Sequence, residues 1–227
     1  PNTGEGVREA LAAGADRAVA LPLYPQYANA TTRSSLLELR RLWPRERPLA
    51  EICTWHDNDA YLDASAAALR ETVLRVPAEL RERLLVVFSA HGLPMSQVRK
   101  GDPYPGYVEH SARETARRAG LSAFQVTYQS RVGPAKWLGP DTVHFLQANA
   151  RGRAVVTVPI AFVSEHLETL YDLDVLAKDA AQQGGASAYL RVPALGIRPD
   201  FVAALADVVR RGMEKQPGFA AAASAAG

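Results

Sequence analysis

The residues best able to do chemistry lie in Arg153-Ala-Val-Val-Thr-Val-Pro-Ile-Ala-Phe-Val-Ser-Glu-His-Leu-Glu-Thr-Leu-Tyr-Asp172. The first half reads as a buried strand, Pro159 as a hinge, and Ser164 as the start of a helix carrying Glu165, His166, Glu168 and Asp172. At about 100° per residue, Glu165, Glu168 and Asp172 form one acidic stripe, while Leu167, Leu170, Tyr171 and Val175 face the core. Acids at a helix start complement its dipole, by about 0.3–1 kcal/mol each. That accounts well for Glu165, less well for Glu168 and hardly for Asp172. His166 lies about 160° from Glu168 on a regular helix, so both reach one cavity only if the first turn is irregular or a π-bulge widens it. With His91, at the end of another strand, this carboxylate stripe resembles a loose cation site of oxygen and nitrogen donors, not a tight structural zinc site, which wants more ligands at closer spacing.

His91 is the second candidate. It follows the apolar run Leu84-Leu-Val-Val-Phe88 within Ser89-Ala-His-Gly-Leu-Pro94, with Gly92 allowing close backbone approach. Imidazole titrates near neutral pH and is a common metal ligand. A loop histidine satisfied by backbone groups is the competing reading. The third constellation is Tyr128-Gln-Ser-Arg-Val-Gly-Pro-Ala-Lys-Trp-Leu-Gly-Pro140, where two Gly-Pro pairs stiffen a loop presenting Trp137. Such a Trp is either a packed anchor or a wall for a flat aromatic ligand. The single cysteine, Cys53, reads as a small buried hydrophobe.

These residues need elements to hold them. Strand-like runs at 17–23, 49–55, 84–88, 123–128, 153–158 and 187–192 alternate with helical patterns. The helices fall at 5–13, at a segment capped by Ser34 or Ser35 and ending near Trp43, at 62–76, up to Ala119, from Asp141, from Ser164, and at 199–213. This βαβ alternation predicts α/β architecture, a parallel sheet flanked by helices. Apolar strands of this kind deliver functional groups at their carboxyl ends. The breaks at Trp43-Pro44 and Arg47-Pro48 suggest a unit boundary near Pro48.

Composition narrows the class. Of 227 residues, 48% are hydrophobic, enough for a substantial core, and the net charge of +2 argues for neither nucleic acid nor an anionic membrane. One cysteine permits no internal disulfide and no iron–sulfur cluster, and fits a reducing, cytoplasmic setting. No apolar run approaches the roughly 18 residues of a membrane span. Neither a Gly-x-Gly-x-x-Gly nor a P-loop pattern occurs, so no nucleotide cofactor is expected. The small-residue end, 214–227, reads as a loose tail, and the start at Pro1 as a cut into a longer protein.

Taken together, Ser89-Ala-His-Gly-Leu-Pro-Met95, Lys100-Gly-Asp-Pro-Tyr104, Tyr128-Gln-Ser-Arg-Val-Gly-Pro134, Trp137-Leu-Gly-Pro140, the Val158–Asp174 stretch and Leu23-Tyr-Pro-Gln-Tyr27 with Thr31–Ser35 resemble the ferrochelatase family, in order and spacing. The resemblance covers residues 17 to about 212. It implies two Rossmann-like chelatase domains with parallel sheets flanked by helices, the first incomplete. Residues 1–48 would be the remainder of the first domain, with helix 195–213 packing back on it, and 49–194 the second. It further implies a lyase of haem biosynthesis that inserts Fe(II), as substrate metal, into protoporphyrin IX or coproporphyrin III. His91 and Glu168 would be catalytic, and His91, His166, Glu168 and Asp172 would meet the metal. Trp137, Tyr24, Ser89 and Pro94 would contact the porphyrin. Where family members carry an acid one turn beyond Asp172, this chain has Leu176. Transient contact with a membrane or another haem-pathway enzyme is the remaining partner expectation. A non-catalytic tetrapyrrole- or metal-binding fragment of that enzyme is the alternative.

Overall fold

The computed structural model describes residues 2–130, 133–216 and 219. The six expected strands are present, several of them shorter than their apolar runs. Strands β3 (Leu84–His91), β4 (Gln125–Gln129), β5 (Ala154–Pro159) and β6 (Ala188–Arg191) form a parallel sheet in the order β4-β3-β5-β6. Strands β1 (Ala18–Ala20) and β2 (Leu49–Glu51) form a separate parallel pair. β2 therefore belongs to the first sheet, which extends past the expected boundary at Pro48.

β3 and β5 read as continuous apolar runs because both faces are covered. Val86, Phe88 and Ala90 pack into one core cluster with Leu62, Leu69, Val108 and Ala112. These partners come from α3 (Asp59–Leu74) and α5 (Tyr104–Arg118). Leu85, Val87 and Val155 pack on the other face, against Leu146, Leu173, Ala177 and Ala181. Those residues belong to α6 (Thr142–Asn149), to a π-helical segment at Asp172–Ala177, and to α8 (Lys178–Gln183).

The remaining helices are α1 (Thr3–Ala12), α2 (Ser34–Leu42), the short α4 (Met95–Arg99) and α7 (Leu167–Leu170), and α9 (Pro199–Glu214). Helix α9 packs along α3 and also reaches β1 and β2. Gly212 permits this approach, since a Cβ there would stand 2.8 Å from Cγ1 of Ile52. Helix α9 ends within the expected tail; most of 214–227 lies outside the described residues, although Phe219 is buried. Arg131 and Val132 of the expected Gly-Pro loop also lie outside them.

Three local expectations are corrected. Residues Asn29–Arg33 are π-helical and run straight into α2, so Ser34 is no cap; its hydroxyl donates to the carbonyls of Ala30 and Thr31. The helix expected from Ser164 opens at His166 instead. Cys53 is exposed, because Ile52 and Trp55 take the buried positions beside it.

Candidate active-site cleft

Register brings the chemistry together. His91, the last residue of β3, pairs with Gln129, the last residue of β4, and Ser89 pairs with Pro159, the last residue of β5. Above these carboxyl ends lies a cavity of about 520 Å³, within the usual range for a small-molecule site. Leu23, Tyr24, Gln26, Ala28 and Thr31 form one wall, and Ala161, Phe162, Val163, Ser164, His166 and Glu168 another. His91, Leu93 and Tyr104 complete the lining.

His91 and Glu168 meet in this cleft, Nδ1 to Oε1 at 3.1 Å, both side chains about one-third exposed at 39% and 34%. The two groups stand at ion-pair distance, so the Glu168 carboxylate is placed to stabilise positive charge on the imidazole. The pair can thus take a proton from a ligand and hold the resulting charge. Gly92 follows because the backbone is tight. Its N–H donates to the carbonyl of Gln129 at 2.9 Å. A Cβ there would meet that oxygen at 3.1 Å and the Trp137 ring at 3.4 Å.

His166 reaches the cavity by an unexpected route. It is the N-cap of α7, in extended backbone, and its Nδ1 accepts the Glu168 N–H at 3.1 Å. The reciprocal bond runs from the His166 N–H to Thr169 Oγ1 at 3.0 Å. Lying outside the helix, His166 escapes the 160° separation expected on a regular one. Its ring also stands edge-on to Phe162, centroids 4.8 Å apart. With Nδ1 accepting, the neutral ring carries its proton on Nε2, which leaves no free lone pair for a cation.

Asp172 lies behind the cavity, accepting from the Ser130 hydroxyl and from Gln129 Nε2 at 3.2 Å. Glu165 faces away from the chemistry. It accepts from Arg191 and from the Ala194 N–H, each at 2.9 Å. Burial pushes its pKa up, but hydrogen bonds from Thr169, Arg191 and Ala194 outweigh that and hold it below the usual carboxylate value. Among the described residues no three His, Cys, Asp or Glu side chains converge as a metal-binding group. The four expected metal-contacting residues are therefore not one coordination shell.

The expected porphyrin contacts divide. Tyr24 lines the cavity at its lip, 44% exposed. Ser89 does not; it is fully buried two residues before His91 on β3, with its hydroxyl donating to Gln129 Oε1 at 2.6 Å. Pro94 and Trp137 bridge each other across a short antiparallel contact, and neither lines the cavity. Trp137 packs against Gly92, and its buried Nε1 has no partner among the described residues. The core residues proposed for the acidic helix are also corrected. Leu167, Leu170, Tyr171 and Val175 are exposed, while Thr169, Leu173 and Ala177 are fully buried, because the π-helical turn shifts the inward face.

Other residues of the site were not singled out from the sequence. Tyr104 lines the cavity from the start of α5, and burial foremost, with Tyr128, Glu168 and Asp102 nearby, pushes its phenol pKa far up, so it stays neutral. The signal was Asp102-Pro-Tyr104. Buried Asp102 accepts the Tyr104 N–H at 3.0 Å and the Asn29 N–H at 2.8 Å, tying two walls together. Gln26, buried among apolar groups, donates to Ser111 and to the Ile160 carbonyl.

Comparison with known proteins gives the family. The ferrochelatase family model matches residues 1–213. A ferrochelatase of Caulobacter vibrioides is 39% identical over 225 residues, covering 98% of this chain and 64% of the relative. One from Synechococcus elongatus is 40% identical over 228 residues, covering 96% and 58%. The chain thus spans less than two thirds of these curated relatives. Among solved structures, CbiX, the terminal enzyme for biosynthesis of siroheme in denitrifying bacteria, matches with a TM-score of 0.54 at 15% identity. That match covers 86% of this chain and 76% of CbiX, and it concerns the fold alone. No helix among the described residues is long and apolar enough to cross a membrane.

Proposed function

Because the chain belongs to the ferrochelatase family, we propose that the protein carrying it inserts Fe(II) into a porphyrin, releasing two protons, in the cleft built around His91. The observation that carries this reading is the His91–Glu168 pair, 3.1 Å apart at the mouth of an otherwise largely apolar cavity. Insertion must remove two pyrrole protons, strip water from the cation and bend a flat ring until a nitrogen lone pair meets the metal. His91 is the base for a pyrrole proton, and Glu168 stabilises the imidazolium that forms. Glu168 and the Asp172 behind it form the acidic line by which the cation enters or protons leave. Two donors and solvent make a weak site, as suits a metal that must pass to the ring. His166 is assigned to positioning Glu168 and not to ligation, since its Nδ1 caps α7. Tyr24, Phe162 and Leu93 supply walls that hold the ring bent toward its transition state.

The β1–β2 pair with α1 and α2 is read as the remainder of a first chelatase domain, with the boundary after β2. A reducing, cytoplasmic setting suits the single exposed thiol, Cys53.

Anaerobic Fe(II) or Zn(II) insertion, followed by porphyrin absorbance, is the test. His91→Ala should lower kcat by at least about 100-fold, and Glu168→Gln by about 10- to 100-fold. A wild-type rate in His91→Ala would remove the base from this scheme. Titration with protoporphyrin IX and coproporphyrin III separately ranks the substrates.

The chain's span, 64% of its Caulobacter relative, favours a second reading for residues 1–227 by themselves: a tetrapyrrole-binding module without turnover. Porphyrin binding without metal insertion by this chain, beside activity of the longer protein, would support it.

A further inference from the structure

The cleft has a supporting layer that its chemistry does not use directly. Gln129, at the carboxyl end of β4, is almost fully buried. Its Nε2 donates to the Glu168 backbone carbonyl at 2.6 Å and to Asp172 Oδ2 at 3.2 Å. Both partners on that side are acceptors, which fixes the carboxamide with its NH2 group toward them. The opposite end, Oε1, then faces Ser89, whose hydroxyl donates to it at 2.6 Å. Ser89 is itself held by Thr142 at 3.0 Å, and Thr142 touches Thr127 at 2.8 Å, all three hydroxyls being fully or almost fully buried. This polar row is set into the sheet between β3, β4 and α6. A buried row of this kind persists only when each member is satisfied. Asp172 gains a second hold from Ser130, whose backbone takes the left-handed region at φ 62° directly after β4.

The consequence is mechanical. Glu168 must stand 3.1 Å from His91, yet it sits in a four-residue helix bordered by an extended N-cap and a π-helical turn. Such a short element does not hold itself. We propose that Gln129 is, beside His166, a positioning residue of this site, oriented by Ser89 and clamping the Glu168 turn and the Asp172 carboxylate to the strand that pairs with His91. The inference rests on reading the cleft as a metal-insertion site. It also gives Ser89 a role in supporting the clamp, in place of the porphyrin contact expected from the sequence.

The test uses the protein at its natural length, with kinetics and hydrogen exchange measured together. Gln129→Leu should lower kcat for Zn(II) insertion by about 10- to 100-fold, as loss of an outer supporting contact does. The porphyrin KM should stay within about threefold, since Gln129 does not line the cavity. Exchange of the Thr169, Leu170 and Tyr171 amides, which bond to His166 and Leu167, should quicken by about tenfold or more. Gln129→Glu preserves size and the bond from Ser89 but turns a carboxylate oxygen toward Asp172. It should show the same split and serves if the leucine variant does not fold. Ser89→Ala should move both readings in the same direction by a smaller factor. Combined with Asp172→Asn, the Gln129→Leu loss should be less than additive, because the two groups act through one contact.

Unchanged kcat with unchanged exchange in Gln129→Leu would overturn the clamp. So would a raised KM at constant kcat, which would make Gln129 a substrate contact. A natural-length wild type that inserts no metal would instead overturn the functional reading, and the exchange measurement would still decide the clamp.

Discussion

At the scale of single residues, the site depends on what each histidine ring faces. His91 has its ring at ion-pair distance from Glu168 and on the cavity; His166 spends Nδ1 on a backbone N–H and has no lone pair left. Their sequence contexts made His91 the stronger candidate and let His166 join only through an irregular helix start. His56 shows a third outcome. It is buried, stacked on Tyr107 at 3.9 Å between ring centroids and edge-on to His110 at 5.3 Å. Burial lowers its pKa, opposed by Asp57 and aided by His110. A histidine whose folded-state pKa is depressed disfavours protonation in the folded protein. Its destabilising effect therefore grows as pH falls through the ordinary value near about 6.5. Thermal melts from pH 7.5 to about 5.5 should show wild-type stability falling more steeply than that of His56→Phe. Equal slopes would discount this group.

At the scale of elements, the acidic helix departs most from expectation. Three of its features were legible: the carboxylates, the strand before it, and the need for irregular geometry if His166 and Glu168 were to share a cavity. The inward face was not legible. An N-cap two residues later than Ser164 and a π-helical turn from Asp172 rotate the buried stripe onto Thr169, Leu173 and Ala177. Denaturant unfolding can check this directly. Leu173→Ala, which removes a fully buried side chain, should cost about 2–5 kcal/mol. Leu170→Lys, on an exposed position, should stay within about 0.5 kcal/mol of wild type. The reverse ranking would restore the regular helix. The Glu165–Arg191–Asp174 ion-pair group anchors the same segment to β6 and to the chain beyond it. That turns the Glu165 carboxylate away from the neighbouring His91–Glu168 pair.

At the scale of the whole molecule, the cleft has its walls on two sheets, which share one apolar core through Ala28, Ile52 and Trp55 and are also tied by polar bonds. Asp102 bonds the turn after β1 to the start of α5, and Gln26 reaches from the first wall to Ser111 and Ile160. Helix α9 completes the junction where Gly212 meets Ile52. Gly212→Ala ought to gain from helix propensity, by about 1 kcal/mol. A Cβ only 2.8 Å from a buried isoleucine reverses that sign, so a net loss of about 1–3 kcal/mol is expected in chemical denaturation. A stabilised variant would show the junction to be loosely packed. The sequence by itself determined the α/β class, the six strands and the family, because apolar runs, helical periodicity and motif order are local properties of the chain. It also marked His91 and Glu168 as partners through that family likeness. Only the tertiary structure decided that they stand within hydrogen-bonding distance, that Ser89 and Trp137 lie outside the cavity, and that Gln129 holds the Glu168 turn. Those facts depend on register between strands far apart in sequence and on which end of a side chain finds its partner, and neither is written in residue type or spacing.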